Sequence, residues 1–181
     1  MTSTSTSPGR LIAIDGVSGP ALQAAAREWR MGGHRVASIS TWDASGIFGD
    51  LGDRDEEGAP SARVLLLLYA TDLAFRLRWD IRPALAEGRA VIAAPYVDTA
   101  IAFGRAAGLR ASWLTHLFGF APAAAESCRI QPPAHAAGHV GFVEFGCDRV
   151  AYGRAGLDRQ RLLERATAFL KKRHDAHRRA R

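Results

Sequence analysis

The residues best placed to do chemistry stand in a short glycine turn, Gly16-Val17-Ser18-Gly19, between an apolar run (Leu11 to Ile14) and an alanine-rich stretch of helical composition. Backbone N–H groups at the start of a helix attract phosphate without any side chain, so the turn is a candidate anion site. The phosphate-cradling pattern G-x-x-x-x-G-K-[ST], set from Gly16, needs a lysine and a hydroxyl at its end; the chain supplies Ala21, Leu22 and Gln23 instead. Alternatively the turn only joins strand to helix, since helix-terminal electrostatics alone contribute about 1 kcal/mol.

A second cluster, Cys128, His135, His139 and Cys147, brings zinc-type ligands within twenty residues. It has no C-x-x-C pair and runs through Pro and Gly, so surface histidines and buried thiols explain it better than a metal centre. Tyr69 and Trp79 could line a ring-binding pocket, although aromatics on an apolar helix ordinarily pack a core. Asp98 could hold a metal-bound water or cap a helix beginning at Thr99.

Charge narrows the function classes. The chain carries a formal +6 over 181 residues. Residues 171–181, KKRHDAHRRAR, account for +5 of it, so the rest is nearly neutral. Both lysines lie in that tail, and elsewhere no lysine is available for catalysis. No aromatic is interleaved with these charges, so nucleic-acid binding through the tail is disfavoured against a solvated helix end. No apolar run approaches the ~20 residues of a membrane span, the polar N-terminus lacks a signal-peptide core, and two cysteines do not form a disulfide scaffold. A cytoplasmic location without membrane contact is the expectation.

The elements that must position these residues alternate. RLIAI reads as a strand buried on both faces, followed by a helix to about Met31 and a strand within GGHRVASIS. After a Gly- and Asp-rich loop (42–60) come a helix from about Ser61 to Leu85, a strand from Ala90 to Ala94, and helical signals around 99–118. Short strands are possible in ESCRIQPP and GHVGFVEF. A terminal helix places Leu162, Leu163, Ala166, Phe169 and Leu170 on one face. The pattern predicts an α/β fold: one domain over 10–170, between a frayed tail (1–9) and the basic tail (171–181), with a mostly parallel sheet of about five strands between two helical layers.

Four segments resemble thymidylate kinase, a P-loop nucleoside monophosphate kinase: LIAIDGVSGPALQ, LLLLYATDLAFRLRWDIRPALAEGRAVI, APYVDTAIAF and WLTHLFGFAPA, in order over residues 10 to 123. The resemblance implies that family's fold and assigns roles by position. Leu22 stands for the P-loop lysine, Gln23 for the magnesium-binding hydroxyl residue, and Ser18 for the loop aspartate. Ala94 and Pro95 stand for the Asp-Arg pair, Leu73 for the base-reading arginine after Asp72, and TWDAS (41–45) for R-E-P-G-G. Tyr69 falls where an aromatic stacks on the base. Asp15, Tyr96, Asp98 and Thr99 keep parts of the pocket, and Phe103 and Gly104 replace a Tyr-Gln pair. The arginine-bearing lid would be either CDRVAYGRAGLD, with Arg149 and Arg154, or almost deleted, with RVAY as the last strand.

Two readings follow from the resemblance. One is a degenerate, pseudokinase-like binding or regulatory subunit that pairs with itself or with another protein, holds at most a nucleotide, and needs no cofactor. The other is a divergent active kinase using ATP and magnesium, with Arg76, Arg78 and Arg105 in place of the lost groups.

Overall fold

A computed structural model describes residues 8–17, 19–31, 36–43, 61–130 and 159–179. The first strand, β1 (Arg10–Gly16), is apolar at consecutive positions because both of its faces are covered. Leu11 and Ala13 face one layer, while Ile12 and Ile14 face the other. Helix α1 (Gly19–Met31) lays Leu22 and Ala26 on Ile12 and Ile14. Strands β2 (Val36–Thr41), β3 (Ala90–Ala94) and β4 (Glu126–Ile130) complete a four-stranded sheet, all pairings parallel, in the order β2-β3-β1-β4. The expectation was about five strands; GHVGFVEF and CDRVAYGRAGLD, including its RVAY, lie outside the described residues.

The layering follows from crossover handedness. The connection from β1 to β2 runs one way along the sheet, whereas those from β2 to β3 and from β3 to β4 run the other way. With one hand for all crossovers, the helix of the first must lie on the opposite face from the helices of the others. So it is: α1 covers Ile12, Ile14, Ile92 and Ala94, and every other core helix packs on the side of Leu11, Ala13, Val91 and Ala93. The reversal falls between β1 and β3, and the crevice outside the carboxyl ends of such strands is where open α/β sheets bind ligands.

The stretch expected as one helix from about 61 to 85 is continuous but not uniform. Helix α2 (Ala62–Arg76) is N-capped by Ser61, whose Oγ accepts the Val64 N–H at 3.3 Å. A π-helical turn (Leu77–Ile81) follows, in which the Arg82 N–H reaches back to the Leu77 carbonyl, and α3 (Arg82–Ala86) begins there. Pro83, without an N–H, cannot continue the ladder onto Trp79, which accounts for a widened turn at this place.

Helix α4 (Val97–Ala106) ends at Gly108, whose φ of +83° suits glycine. The short α5 (Ala111–Leu117) precedes β4. Helix α6 (Arg159–Arg179) packs on α4 through Leu162, Ala166 and Leu170, so the basic segment continues this helix as far as 179. Among the described residues no helix is long and apolar enough to cross a membrane.

Candidate functional site at the carboxyl ends of β1 and β3

Asp15 is the last side chain before the glycine turn and is 3% exposed. Its Oδ1 accepts the Tyr96 N–H, the Thr99 N–H and the Thr99 hydroxyl, each at 2.9 Å. The backbone N–H groups among these belong to the start of α4, where helix donors have no partner of their own. Asp15 therefore caps α4 from another strand. The expectation that Asp98 caps it is corrected: Tyr96 is the N-cap residue and no side chain of its own caps the helix. The Gly16 N–H donates to Thr99 Oγ1 at 3.0 Å, which ties the turn to the same helix. Burial, helped by the nearby Asp98 charge, raises the Asp15 carboxyl to about 6 against the hydrogen bonds that favour its anion.

The Asp98 carboxylate turns outward from α4 and holds two cations. Arg129, on β4 directly opposite Asp15, donates both Nε–H, at 2.9 Å, and Nη2–H to Asp98 Oδ2. Arg173, from α6, donates to Oδ1 at 2.7 Å. Neither arginine stood out in the sequence. Arg129 lies in a short strand whose register is set by β1, and Arg173 comes from 75 residues away.

Behind Asp15 lies a buried polar cluster. Arg76 is fully buried; its Nε–H donates to Asp72 Oδ2 at 2.8 Å and its Nη1–H to the Pro95 carbonyl at 3.1 Å. The Ala94–Pro95 peptide bond is cis. The Tyr69 hydroxyl donates to the Tyr96 carbonyl at 2.5 Å, and its ring lies against Trp42 (6.1 Å between centroids, 27° between planes) and edge-on to Phe118. Burial pushes the Tyr69 and Tyr96 phenols upward, and the Tyr96 hydroxyl donates to the Pro122 carbonyl at 2.7 Å.

The structure thus brings Asp15, Gly16, Tyr96, Asp98 and Thr99 together, with Tyr69, Asp72 and Arg76 beneath them. Val17 is buried beside the turn, Gly19 opens α1, and Ser18 lies outside the described residues. A Cβ on Gly16 would stand 2.9 Å from the Ile130 carbonyl oxygen, so the close approach of β4 requires glycine there. Phe103 is wholly buried in the core. Arg105 is exposed and donates to the Leu109 carbonyl, and Arg78 is exposed with its guanidinium over Trp79. Leu22, in the lysine's position, is 3% exposed and packed on the sheet, and exposed Gln23 is bonded by Arg27.

Cys128 is half-buried on β4, where burial pushes its thiol upward. His135, His139 and Cys147 lie outside the described residues, among which no group of three metal-ligating side chains occurs.

No protein-family profile matches this sequence. No curated protein matches it either. Among solved structures, the thymidylate kinase of Ehrlichia chaffeensis aligns with a TM-score of 0.57 at 15% identity, over 68% of this chain and 71% of that one. With the parallel sheet, the two helical layers and the glycine turn after β1, this likeness shows that the chain has a thymidylate-kinase-like α/β fold.

Proposed function

We propose that this protein is a catalytically weak relative of the thymidylate kinases that serves as a binding or regulatory subunit. The observation that carries the reading is Leu22. It takes the place where phosphoryl transfer uses a lysine, and it is buried against Ile12 and Ile14 rather than turned toward a phosphate. The arginines expected to compensate support the same reading: Arg76 is committed to Asp72 and the Pro95 carbonyl, while Arg78 and Arg105 make local exposed contacts. What remains among the described residues is the start of α1 after the glycine turn, where backbone N–H groups can meet an anion.

Self-association fits the outer face of α2, where Val64, Leu67 and Phe75 are exposed and Trp79, in the following turn, is 63% exposed. Large apolar side chains gathered on one helix face mark an interaction surface.

The test is ADP release from ATP and magnesium with thymidine monophosphate and the other nucleoside monophosphates, beside calorimetric titration of each nucleotide. The expected result is no turnover above the uncatalysed background. Robust turnover that disappears when the Gly16 turn is disrupted overturns the reading and favours a divergent kinase. Sedimentation of wild type and Phe75→Glu checks the α2 face, with a dimer expected only for the wild type.

A further inference from the structure

The turn between α4 and α5 builds a second cleft that shares no residue with the Asp15 and Gly16 site. Gly108, in its left-handed conformation, reverses the chain, and a Cβ there would meet nothing within 4 Å. Arg110 then starts α5 in an extended conformation, and Trp113 and His116 follow on that helix. The N-terminal turn of α2 closes the other side with Arg63, whose guanidinium lies 5.2 Å from the Trp113 ring centroid. The resulting cleft is open to solvent and has a volume of ≈ 700 Å3.

Its chemistry is one-sided. Arg63, Arg110 and His116 line it together with Trp113 and Ser112, and among the described residues no carboxylate does. The buried Arg76 is paired with Asp72 and the half-buried Arg129 with Asp98, whereas Arg63 and Arg110 are exposed at the cleft. Among the described residues neither Arg63 nor Arg110 pairs with a carboxylate. The contact of Arg63 with the indole holds its guanidinium plane at the cleft wall. His116 presents Nδ1 to the Ser112 carbonyl at 2.7 Å; a carbonyl only accepts, so Nδ1 carries the proton of the neutral ring.

Two guanidinium forks on one cleft, without an acidic neighbour among the described residues, match ligands that carry several oxyanion groups. Such ligands accept paired N–H bonds that a single carboxylate cannot supply to both arginines. We infer that the cleft formed by Arg63, Arg110, Trp113 and His116 binds a small multivalent oxyanion, either an organic phosphate or a polycarboxylate.

The inference is tested by titrating the full chain, at about 0.15 M salt to screen diffuse attraction, with pyrophosphate, citrate and acetate. Heat is followed beside the indole N–H resonance of Trp113, assigned with Trp113→Phe. Pyrophosphate or citrate should saturate and shift that resonance, and acetate should not. Arg63→Gln and Arg110→Gln, both at exposed positions, should each weaken binding about tenfold or more, as expected for loss of a charge-assisted contact. Saturation by pyrophosphate alone identifies phosphate ligands, by citrate alone carboxylates, and by both a site for the shared chemistry. Failure of both to saturate, a stationary Trp113 resonance, or unchanged affinity in either glutamine variant overturns the inference. None of these outcomes depends on turnover or on the Gly16 turn, so this site and the proposed function stand or fall separately.

Discussion

Replacing Asp15 by Asn should stabilise the protein at neutral pH, and the size of the effect can be worked from its environment. The Asp15 carboxyl stands at about 6 in the folded chain, against 3.8 for an unperturbed aspartate. Folding therefore favours its protonated form, so its contribution to stability is fully present below 3.8 and is lost as pH rises through 6. A difference of about two units corresponds to about 3 kcal/mol lost across that window. Asparagine keeps an oxygen to accept the Tyr96 and Thr99 N–H groups and the Thr99 hydroxyl, and it cannot ionise. Urea unfolding of both proteins from pH 3.5 to 8 isolates the effect, because other titrating groups cancel in the difference. The expected curve is near zero at the acid end and rises to about 3 kcal/mol in favour of Asp15→Asn above pH 6. If Asp15→Asn is instead destabilised at pH 8, the three hydrogen bonds outweigh burial and the reasoning fails.

Other substitutions test other parts of the same frame. Arg76→Ala leaves the Asp72 carboxylate buried without its ion-pair partner and should cost about 3–5 kcal/mol by denaturant unfolding, with much of the loss recovered in an Asp72→Asn, Arg76→Met double variant. Leu22→Lys forces an ammonium toward Ile12 and Ile14; it should lower the thermal midpoint strongly, by an equivalent of at least about 2 kcal/mol, and yield no ADP release in the kinase assay. Gly104→Ala sets a methyl 2.5 Å from Leu114 Cδ2 and 2.9 Å from Leu66 Cδ1. Both are ends of flexible side chains, so a moderate loss of about 1–3 kcal/mol is expected in urea.

The sheet was legible where burial is simplest. β1 and β3 read as apolar runs because both faces of each are covered, and their even spacing between helices implied parallel pairing. The π-helical turn was not legible as such, although Pro83 supplied a local reason for a break. Asp72 and Arg76 stand four residues apart on a helix, a spacing that announces a pair. Their burial depends on the Pro95 carbonyl, delivered by β3. Likewise Asp15 could be read as an acid at a strand end, but the donors it serves lie 81 and 84 residues further on. Local rules place a residue on an element; what it touches is decided by strand order.

Strand order also decides the electrostatics of the crevice. A site for phosphoryl transfer must present uncompensated positive charge where a highly charged nucleotide arrives. Among the described residues at this end of the sheet each engaged arginine already has an anion: Arg76 has Asp72, and Arg129 and Arg173 share Asp98. A phosphate that used Arg129 would have to draw it off Asp98. That would leave the carboxylate nearly buried beside Asp15, whose own ionisation is already opposed by the Asp98 charge. The cost falls on two carboxylates at once, since each would then face the other with less cationic screening. The same arrangement does suit a structural task, because Asp98 ties β4, α4 and α6 together through its two arginines. That balance of charge, taken with the buried Leu22, is what the proposed binding or regulatory role rests on, and turnover in the kinase assay would overturn it.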